Sequence, residues 1–278
     1  MAPHCCWIRR VDVRTLPDRD LRVGFFPQPQ TIRLRIEGAP AHMQPLRALF
    51  FSDVHLRRCV SDAQLDVLVE QIAALKPSLL LLGGDYAESE ADCVRFFRAL
   101  ARVRTPLGAY AVPGNNDRMA TDALRQTMAE AGVALLINES RRIELPGGTL
   151  EIGGCDDHKY GLPDTRSLFR KSNAYRILLS HFPCAPDCDC DLMLSGHTHG
   201  GQCNLLGCTP YTLGFERRYR LLALRGLHAR GGMRLLVGNG IGVSRLPLRI
   251  GAQPQIYLLE FDGNGRSQSR SRPRASGI

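Results

Sequence analysis

The chain has 278 residues, of which 44% are hydrophobic and 23% are charged, and its formal net charge at pH 7 is +9. This length is enough to bury a large core, in one large α/β domain or in two small ones. The composition is ordinary for a soluble globular protein, and no apolar stretch is long enough to cross a bilayer. Neither a basic helix nor an array of aromatic residues on a strand indicates nucleic-acid binding.

The two ends of the chain differ in composition from the rest. Residues 1–30 form an arginine-rich extension broken by prolines, and residues 263–278 form a basic tail that we expect to be disordered. A solvated tail is favoured over one that contacts anionic lipid or nucleic acid. The domain itself is predicted at 31–262. Because there is no signal peptide, we expect reduced cysteines and a cytoplasmic location, with peripheral contact at the inner membrane left open.

The first half of the domain predicts strands that alternate with helices. The first helix begins at a capping box of Ser61 and Gln64 and ends before Pro77. Two further helices are predicted at about 90–103 and 121–131. The predicted strands of this half lie at 31–36, 46–51, 78–82, 109–112 and 133–137.

The second half consists mostly of predicted strands. A β-hairpin is predicted from 142–145 and 149–152, followed by a short helix near 164–171. Further strands are predicted at 175–180, 191–194, 221–224, 234–237 and 255–261. This order indicates an α/β fold of two packed sheets with helices on the outside.

Polar side chains follow five of the predicted strands at the point where each strand ends. They are Asp53 and His55, Asp85, Asn115, His181, and His197 and His199. Ligands of open α/β sheets bind at the carboxyl ends of the strands, so these residues predict a metal centre there. Carboxylate, amide and imidazole ligands without a thiolate favour Mn, Fe or Zn. The number of ligands exceeds what one ion requires, and two divalent ions bridged by a carboxylate are the natural inference.

The same motifs, in the same order, resemble the signature of the calcineurin-like metallophosphoesterases. The resemblance spans about residues 31–261 and is specific, because five motifs fall in register. The sequence Gly196-His-Thr-His-Gly-Gly-Gln202 resembles the bacterial branch of small phosphodiesterases, which includes a pyrophosphohydrolase acting on UDP-2,3-diacylglucosamine. The resemblance implies a sandwich of two mixed β-sheets flanked by helices. It also implies one metal ion bound by Asp53, His55, Asp85 and His199, and a second bound by Asp85, Asn115, His181 and His197.

One position departs from the family pattern. The third motif usually contains a histidine that contacts the phosphate and is thought to protonate the leaving group, and this chain has Asn116 there, followed by Asp117. An amide can donate a hydrogen bond to a phosphate oxygen but cannot deliver a proton near neutral pH. We therefore expect a preference for good leaving groups. Asn116 and Asp117 are the candidate catalytic residues.

Three further groups of polar residues have an ordinary explanation that competes with a functional one. Cys184, Cys188, Cys190, Cys203 and Cys208 could form a structural zinc cluster, but loop cysteines are favoured because the spacing matches no zinc pattern. His158, with Asp156 and Asp157, is a candidate for the substrate crevice or for a solvated loop. The arginines that follow the metal motifs could bind phosphate or simply add solubility; they are Arg217, Arg218 and Arg220.

The sequence as a whole predicts a dinuclear metal-dependent phosphoesterase that hydrolyses a phosphodiester or pyrophosphate by attack of metal-bound hydroxide. The expected substrate is a small-molecule or lipid phosphoester, nucleotide-linked or lipid-linked, with no nucleic-acid partner. The alternative is a non-catalytic metal-binding or scaffold protein of the same fold. The oligomeric state is left undetermined.

Overall fold

The computed structural model describes residues 9–10, 21–117, 122–169, 172–205 and 208–264. Within these ranges the α-helices are α1 (Asp62–Ala74), α2 (Glu90–Leu100) and α3 (Asp122–Glu130). The strands are β1 (Arg9–Arg10), β2 (Leu21–Val23), β3 (Gln30–Ile36), β4 (Arg47–Phe51), β5 (Leu79–Leu82), β6 (Ala109–Ala111), β7 (Val133–Leu135), β8 (Glu139–Leu145), β9 (Gly148–Gly154), β10 (Tyr175–Leu179), β11 (Leu192–Ser195), β12 (Gly226–Arg230), β13 (Met233–Val237), β14 (Leu248–Ile250) and β15 (Gln255–Phe261).

The first half of the chain builds most of a six-stranded sheet in the order β3-β15-β4-β5-β6-β7. Strands β4, β5, β6 and β7 run parallel, and β15 is antiparallel to β4 but parallel to β3. Helices α1, α2 and α3 supply the connections that parallel neighbours need. The predicted capping box starts α1: Ser61 Oγ accepts from Gln64 N at 3.3 Å, and Gln64 Oε1 accepts from Ser61 N at 3.0 Å.

The second half builds a seven-stranded sheet in the order β1-β12-β13-β11-β10-β9-β8. Strands β9, β10, β11 and β13 are parallel, whereas β8 and β12 pair antiparallel with their neighbours. The expectation of two mixed sheets flanked by helices is therefore confirmed.

The strand β5 shows why the sheets stack as they do. Successive side chains of a strand point to opposite faces, and both faces of β5 are buried. Leu79 and Leu81 belong to the apolar layer between the two sheets, where they join residues such as Ile177 and Leu194 of the second sheet. Leu80 and Leu82 belong to the layer beneath α1 and α2. Because both faces of β5 are buried, its sequence is a continuous run of apolar residues.

Two elements predicted for the second half are wrong. The helix near 164–171 is absent from residues 164–169, which form turns and bends; Arg170 and Lys171 lie outside the described residues. Leu168 N donates to Thr165 O, three residues back, at 3.3 Å, and Thr165 Oγ1 accepts from Asp187 N at 2.8 Å. The segment therefore closes a single turn and binds the loop before β11 instead of continuing as a helix.

The predicted strand at 221–224 is also wrong. Leu222 donates its backbone N–H to Pro183 O at 2.8 Å, away from any ladder, and its side chain packs on the outer face of the seven-stranded sheet. The strand comes a few residues later, as β12, whose sequence Gly-Leu-His-Ala-Arg carries little apolar signal. β12 exists because its backbone pairs with β13.

Parts of the predicted extension contribute strands to the fold. Arg9–Arg10 pairs with β12, and Leu21–Val23 pairs with β14. The remaining residues at the two ends, 1–8, 11–20 and 265–278, which include most of the predicted basic tail, lie outside the described residues. In the part of the chain that the structure describes, no helix is long and apolar enough to span a bilayer.

Candidate metal centre

The predicted ligands all follow the carboxyl ends of parallel strands, and the two sheets bring these ends to one edge of the molecule. Asp53 and His55 follow β4, Asp85 follows β5 and Asn115 follows β6. From the other sheet, His181 follows β10, and His197 and His199 follow β11. The sandwich thus places ligands from distant parts of the chain side by side. All seven residues are buried, with at most 9% of their surface exposed.

Most of these residues have a left-handed backbone conformation. Among the described residues, ten that are not glycine have positive φ, and half of them are predicted ligands. Their φ angles are 52° for Asp53, 45° for His55, 57° for Asp85, 70° for His197 and 51° for His199. This conformation costs on the order of 1–3 kcal/mol per residue and persists only where the surrounding structure enforces it. The sharp turns direct the side chains inward at each strand end.

Two glycines allow the loops to come this close. A Cβ atom on Gly114 would lie 2.2 Å from Asp85 Oδ1, and one on Gly196 would lie 2.2 Å from Ser52 Oγ and 2.3 Å from Asp53 Oδ2. Any other residue at either position would displace a carboxylate of the site.

Two groups of side chains have the geometry to hold a metal ion. Asp53, His55 and His199 form one, and Asp53, Asp85 and His181 form the other, with the ligand atoms of each group within 4.8 Å of one another. Asp53 belongs to both groups, and Asp85 Oδ2 lies 3.5 Å from Nε2 of His181 in its own group and 3.5 Å from Nε2 of His55 in the other. Asp53 Oδ1 lies 3.5 Å from His199 Nε2. His197 adjoins the second group, with Nδ1 at 3.3 Å from His181 Nε2.

Each of the four imidazoles directs one ring nitrogen into the centre and is held from behind at the other. His55 Nδ1 lies 2.6 Å from Glu88 Oε1, and His181 Nδ1 lies 2.7 Å from Gly83 O. His197 Nε2 contacts the carboxylate of Glu216. Acceptors at the outer nitrogen set the tautomer and leave the inner lone pair available to a metal.

The fourth imidazole, that of His199, is held by a cation instead. Arg249 is fully buried, and its Nη2 lies 3.1 Å from His199 Nδ1. The same guanidinium donates to His199 O at 3.2 Å and to Ala252 O at 3.0 Å, and it also contacts Gly242 O. Arg249 therefore ties the loop of His199 to the chain that follows β13.

The electrostatics of the centre favour a cation. Burial opposes ionisation of Asp85, but the neighbouring His181 and His55 hold the pKa of its carboxyl below the usual range. Burial would lower the pKa of His181, yet Asp85 and Asp53 raise it to about 10. His199 has a lowered pKa because of burial and the positive neighbours His55 and Arg249, so its imidazole stays neutral. A divalent ion fits this set of donors, which combines carboxylates with imidazoles.

The three residues after Gly114 have different surroundings. Asn115 is nearly buried and donates from Nδ2 to Asn116 Oδ1 at 3.2 Å. Asn116 is exposed at the rim, where Nδ2 lies 3.1 Å from Glu88 Oε1 and 3.1 Å from His55 Nδ1. An amide at the rim of the centre can bind a substrate oxygen but holds no proton for a leaving group.

Asp117 faces the backbone rather than the rim. Its carboxylate accepts from Asp85 N at 2.7 Å, from Gly114 N at 2.8 Å and from Tyr86 N at 3.0 Å. Burial and the adjacent Asp85 raise the pKa of this carboxyl. Asp117 joins the loops after β5 and β6, which explains its position next to the predicted ligands.

The other candidate residues lie around the centre and not in it. Among the described residues, no cysteine belongs to either metal-binding group, and the five loop cysteines are free thiols. His158 packs against Phe182 with ring centroids 5.7 Å apart, and Phe182 in turn stacks on His197 at 3.6 Å. The three candidate arginines after the metal motifs, Arg217, Arg218 and Arg220, are exposed.

Sequence reasoning missed Glu88 and Glu216, which hold His55 and His197. Glu88 lies three residues after Asp85 and carried a weak local signal, because it extends a strand-end motif. Glu216 follows His197 by 19 residues in an irregular segment, and nothing in the sequence around it distinguishes it from other glutamates.

Comparison with known proteins agrees with the geometry. The family model for calcineurin-like phosphoesterases matches residues 46–201. Phosphodiesterase YaeI of Escherichia coli is 31% identical over 253 residues, which cover 86% of this chain and 89% of that protein. The uncharacterized metallophosphoesterase YkuE of Bacillus subtilis is 32% identical over 221 residues, covering 75% of this chain and 76% of that protein.

Proposed function

The chain belongs to the calcineurin-like phosphoesterase family of metal-dependent phosphoester hydrolases, and we propose that it cleaves a phosphodiester or pyrophosphate bond at a centre of two divalent ions. Asp53, His55, Asp85 and His199 would hold one ion. Asp85, Asn115, His181 and His197 would hold the other. The position of Asp85 Oδ2 between His55 and His181, 3.5 Å from each, supports its role as the shared ligand.

The observation that carries this proposal is the preorganised set of inward-facing ligand atoms. The residues come from both sheets, are almost completely buried, and are fixed by Glu88, Glu216, Gly83 and Arg249. Burying four imidazoles beside two carboxylates costs free energy that hydrogen bonds, ion pairs and a coordinated metal ion offset.

Two bound divalent ions would orient the phosphoryl group and lower the pKa of a water molecule that attacks it. The protein's own residues position the substrate around them. Asn116, exposed at the rim, donates a hydrogen bond to a phosphate oxygen. Because Asn116 cannot act as a general acid, the leaving group must depart largely without proton transfer from this position. Substrates with good leaving groups, such as a pyrophosphate or an aryl ester, are therefore favoured.

The proposed substrate is a nucleotide-linked or lipid-linked phosphoester, and UDP-2,3-diacylglucosamine is the specific candidate. The name of the Escherichia coli relative, a phosphodiesterase, supports a diester over a monoester. The ligand set suits Mn, Fe or Zn, and Mn²⁺ is the first metal to test.

Hydrolysis of bis-p-nitrophenyl phosphate and p-nitrophenyl phosphate by metal-stripped protein tests the proposal, with Mn²⁺, Zn²⁺ or Mg²⁺ added back. We expect metal-restored turnover that is faster for the diester. Faster turnover of the monoester would refute the diesterase assignment. If two ions bind and neither substrate is cleaved, the non-catalytic alternative replaces the enzyme.

A further inference from the structure

A cavity of about 770 Å³ lies directly beside the metal centre. Its wall includes Phe25, Arg57, Arg58, Glu88 and Arg95. Glu88 belongs to both places, because it lines the cavity and its Oε1 lies 2.6 Å from Nδ1 of His55. Asn116, exposed at the rim, contacts the same oxygen at 3.1 Å. Glu88 therefore forms the boundary between the metal centre and the cavity.

Two of the three arginines in the wall are already engaged. Arg57 Nη2 lies 3.3 Å from Glu88 Oε1 and donates to Val243 O at 3.2 Å. Arg95 donates to Val60 O at 2.6 Å, and its Nη1 lies 3.4 Å from Asp92 Oδ1. Both carboxylates of the wall, Glu88 and Asp92, are thus paired with an arginine.

Arg58 differs from its neighbours. It is exposed, and among the described residues it forms no ion pair or hydrogen bond. Its charge, unlike those of Arg57 and Arg95, has no counter-charge from the wall. Phe25, with the guanidinium of Arg57 at 4.8 Å from its ring centroid, forms an adjacent surface without a carboxylate. The cavity wall thus contains one guanidinium that has no partner among the described residues.

We infer that this cavity binds a second anionic group of the substrate, a phosphate attached to the phosphoester that is held at the metal centre, and that Arg58 recognises it. The inference rests on the proposed function and names its substrate class. A guanidinium presents several N–H donors in a planar fork that matches two phosphate oxygens. A substrate with a single phosphate would place that phosphate on the metal ions and leave Arg58 without a partner.

Competition between uridine 5′-diphosphate and uridine 5′-monophosphate tests this, since the two differ only by the second phosphate. Their inhibition constants are measured against hydrolysis of bis-p-nitrophenyl phosphate, with free metal in excess. The proteins are the wild type, Arg58→Ala, Arg58→Lys and Arg98→Ala. Arg98 is an exposed arginine on α2 that does not line the cavity, and it is the matched control.

We expect the diphosphate to inhibit the wild type about tenfold more strongly than the monophosphate, the size of one charge-assisted contact. Arg58→Ala should remove this difference, Arg58→Lys should restore part of it, and Arg98→Ala should leave it intact. An equal effect of Arg58→Ala on both nucleotides, or a wild type that does not distinguish them, overturns the inference.

Calorimetric titration of the metal-free proteins with uridine diphosphate separates this inference from the proposed function. Binding that weakens about tenfold in Arg58→Ala, and not in Arg98→Ala, supports the cavity even if the wild type hydrolyses no diester. If the wild type hydrolyses the diester and Arg58→Ala binds uridine diphosphate with unchanged affinity, the proposed function is supported and the role of Arg58 in the cavity is refuted.

Discussion

The carboxylate of Glu216 contacts Nε2 of His197, and this contact directs the other ring nitrogen, Nδ1, toward His181. Glu216 has a left-handed backbone with φ of 54°, and its side chain is only 9% exposed. Lys159 Nζ lies 3.8 Å from its second oxygen. The irregular segment that follows β11 thereby holds a predicted metal ligand in place from outside the residues that the family model matches.

Replacement of Glu216 should weaken metal binding. A carboxylate that accepts the outer N–H of a ligating imidazole orients the ring and raises its basicity, and losing it typically costs 10- to 100-fold in metal affinity or activity. We expect a loss of about this size in Glu216→Gln, measured as Mn²⁺ affinity by calorimetry and as diester turnover. Glu70→Gln, an exposed position on α1, is the control. Unchanged Mn²⁺ affinity in Glu216→Gln would exclude a positioning role.

Asn116→His should broaden the range of leaving groups. The new imidazole would lie beside Glu88, which at present contacts Asn116 at 3.1 Å, and it could deliver a proton to a poor leaving group. We expect turnover of an alkyl phosphodiester to rise by about 10²-fold, the lower end of general-acid assistance, with little change for the p-nitrophenyl diester. A rate for the alkyl ester that does not change would show that proton delivery is not what Asn116 lacks.

Gly114→Ala should disrupt the centre through a steric effect alone. The added Cβ would lie 2.2 Å from Asp85 Oδ1 and 2.4 Å from Asp85 N, so the carboxylate must move. We expect loss of metal binding by calorimetry and a lower midpoint of thermal unfolding. Gly232→Ala is the matched control, because a Cβ there meets nothing within 4 Å. Full metal binding by Gly114→Ala would mean that Asp85 is not required as a ligand.

His158 should make the protein less stable in acid. Burial, together with the nearby His181 and His197, lowers the pKa of its imidazole from 6.5 to about 4. Between these values the unfolded chain binds a proton that the folded chain does not, so the stability present above pH 6.5 is lost as the pH falls toward 4. The expected loss is about 1–2 kcal/mol after allowance for partial exposure.

Urea unfolding of the metal-free protein between pH 4 and 7 measures this effect. His158→Phe retains an aromatic ring against Phe182 and cannot be protonated. The free energy of unfolding should fall less steeply with acid in His158→Phe than in the wild type. Parallel pH profiles for the two proteins would show that His158 does not titrate in this range.

Local sequence determined most of the fold and the identity of the predicted ligands. The capping box of Ser61 and Gln64 and the apolar run of β5 depend on contacts close in sequence or on burial of both faces, and both are found as predicted. The helix near Asp164 was not found, because Leu168 N closes a turn with Thr165 O and the Thr165 side chain binds the backbone of Asp187, 22 residues away in sequence. β12 was missed because its stability comes from pairing with β13 rather than from its own side chains.

The strand-end motifs could also be located from the sequence alone, because each one follows an apolar run and has a residue type suited to a metal ion. What it could not supply was the set of partners behind those residues. Glu216 and Arg249 lie 19 and 50 residues from the histidines that they contact, and these contacts form only when the two sheets bring the loops to one edge. Residue type and local periodicity identify the predicted ligands. The tertiary structure decides their orientation and the shape of the space beside them, because both depend on contacts between segments that no local pattern encodes.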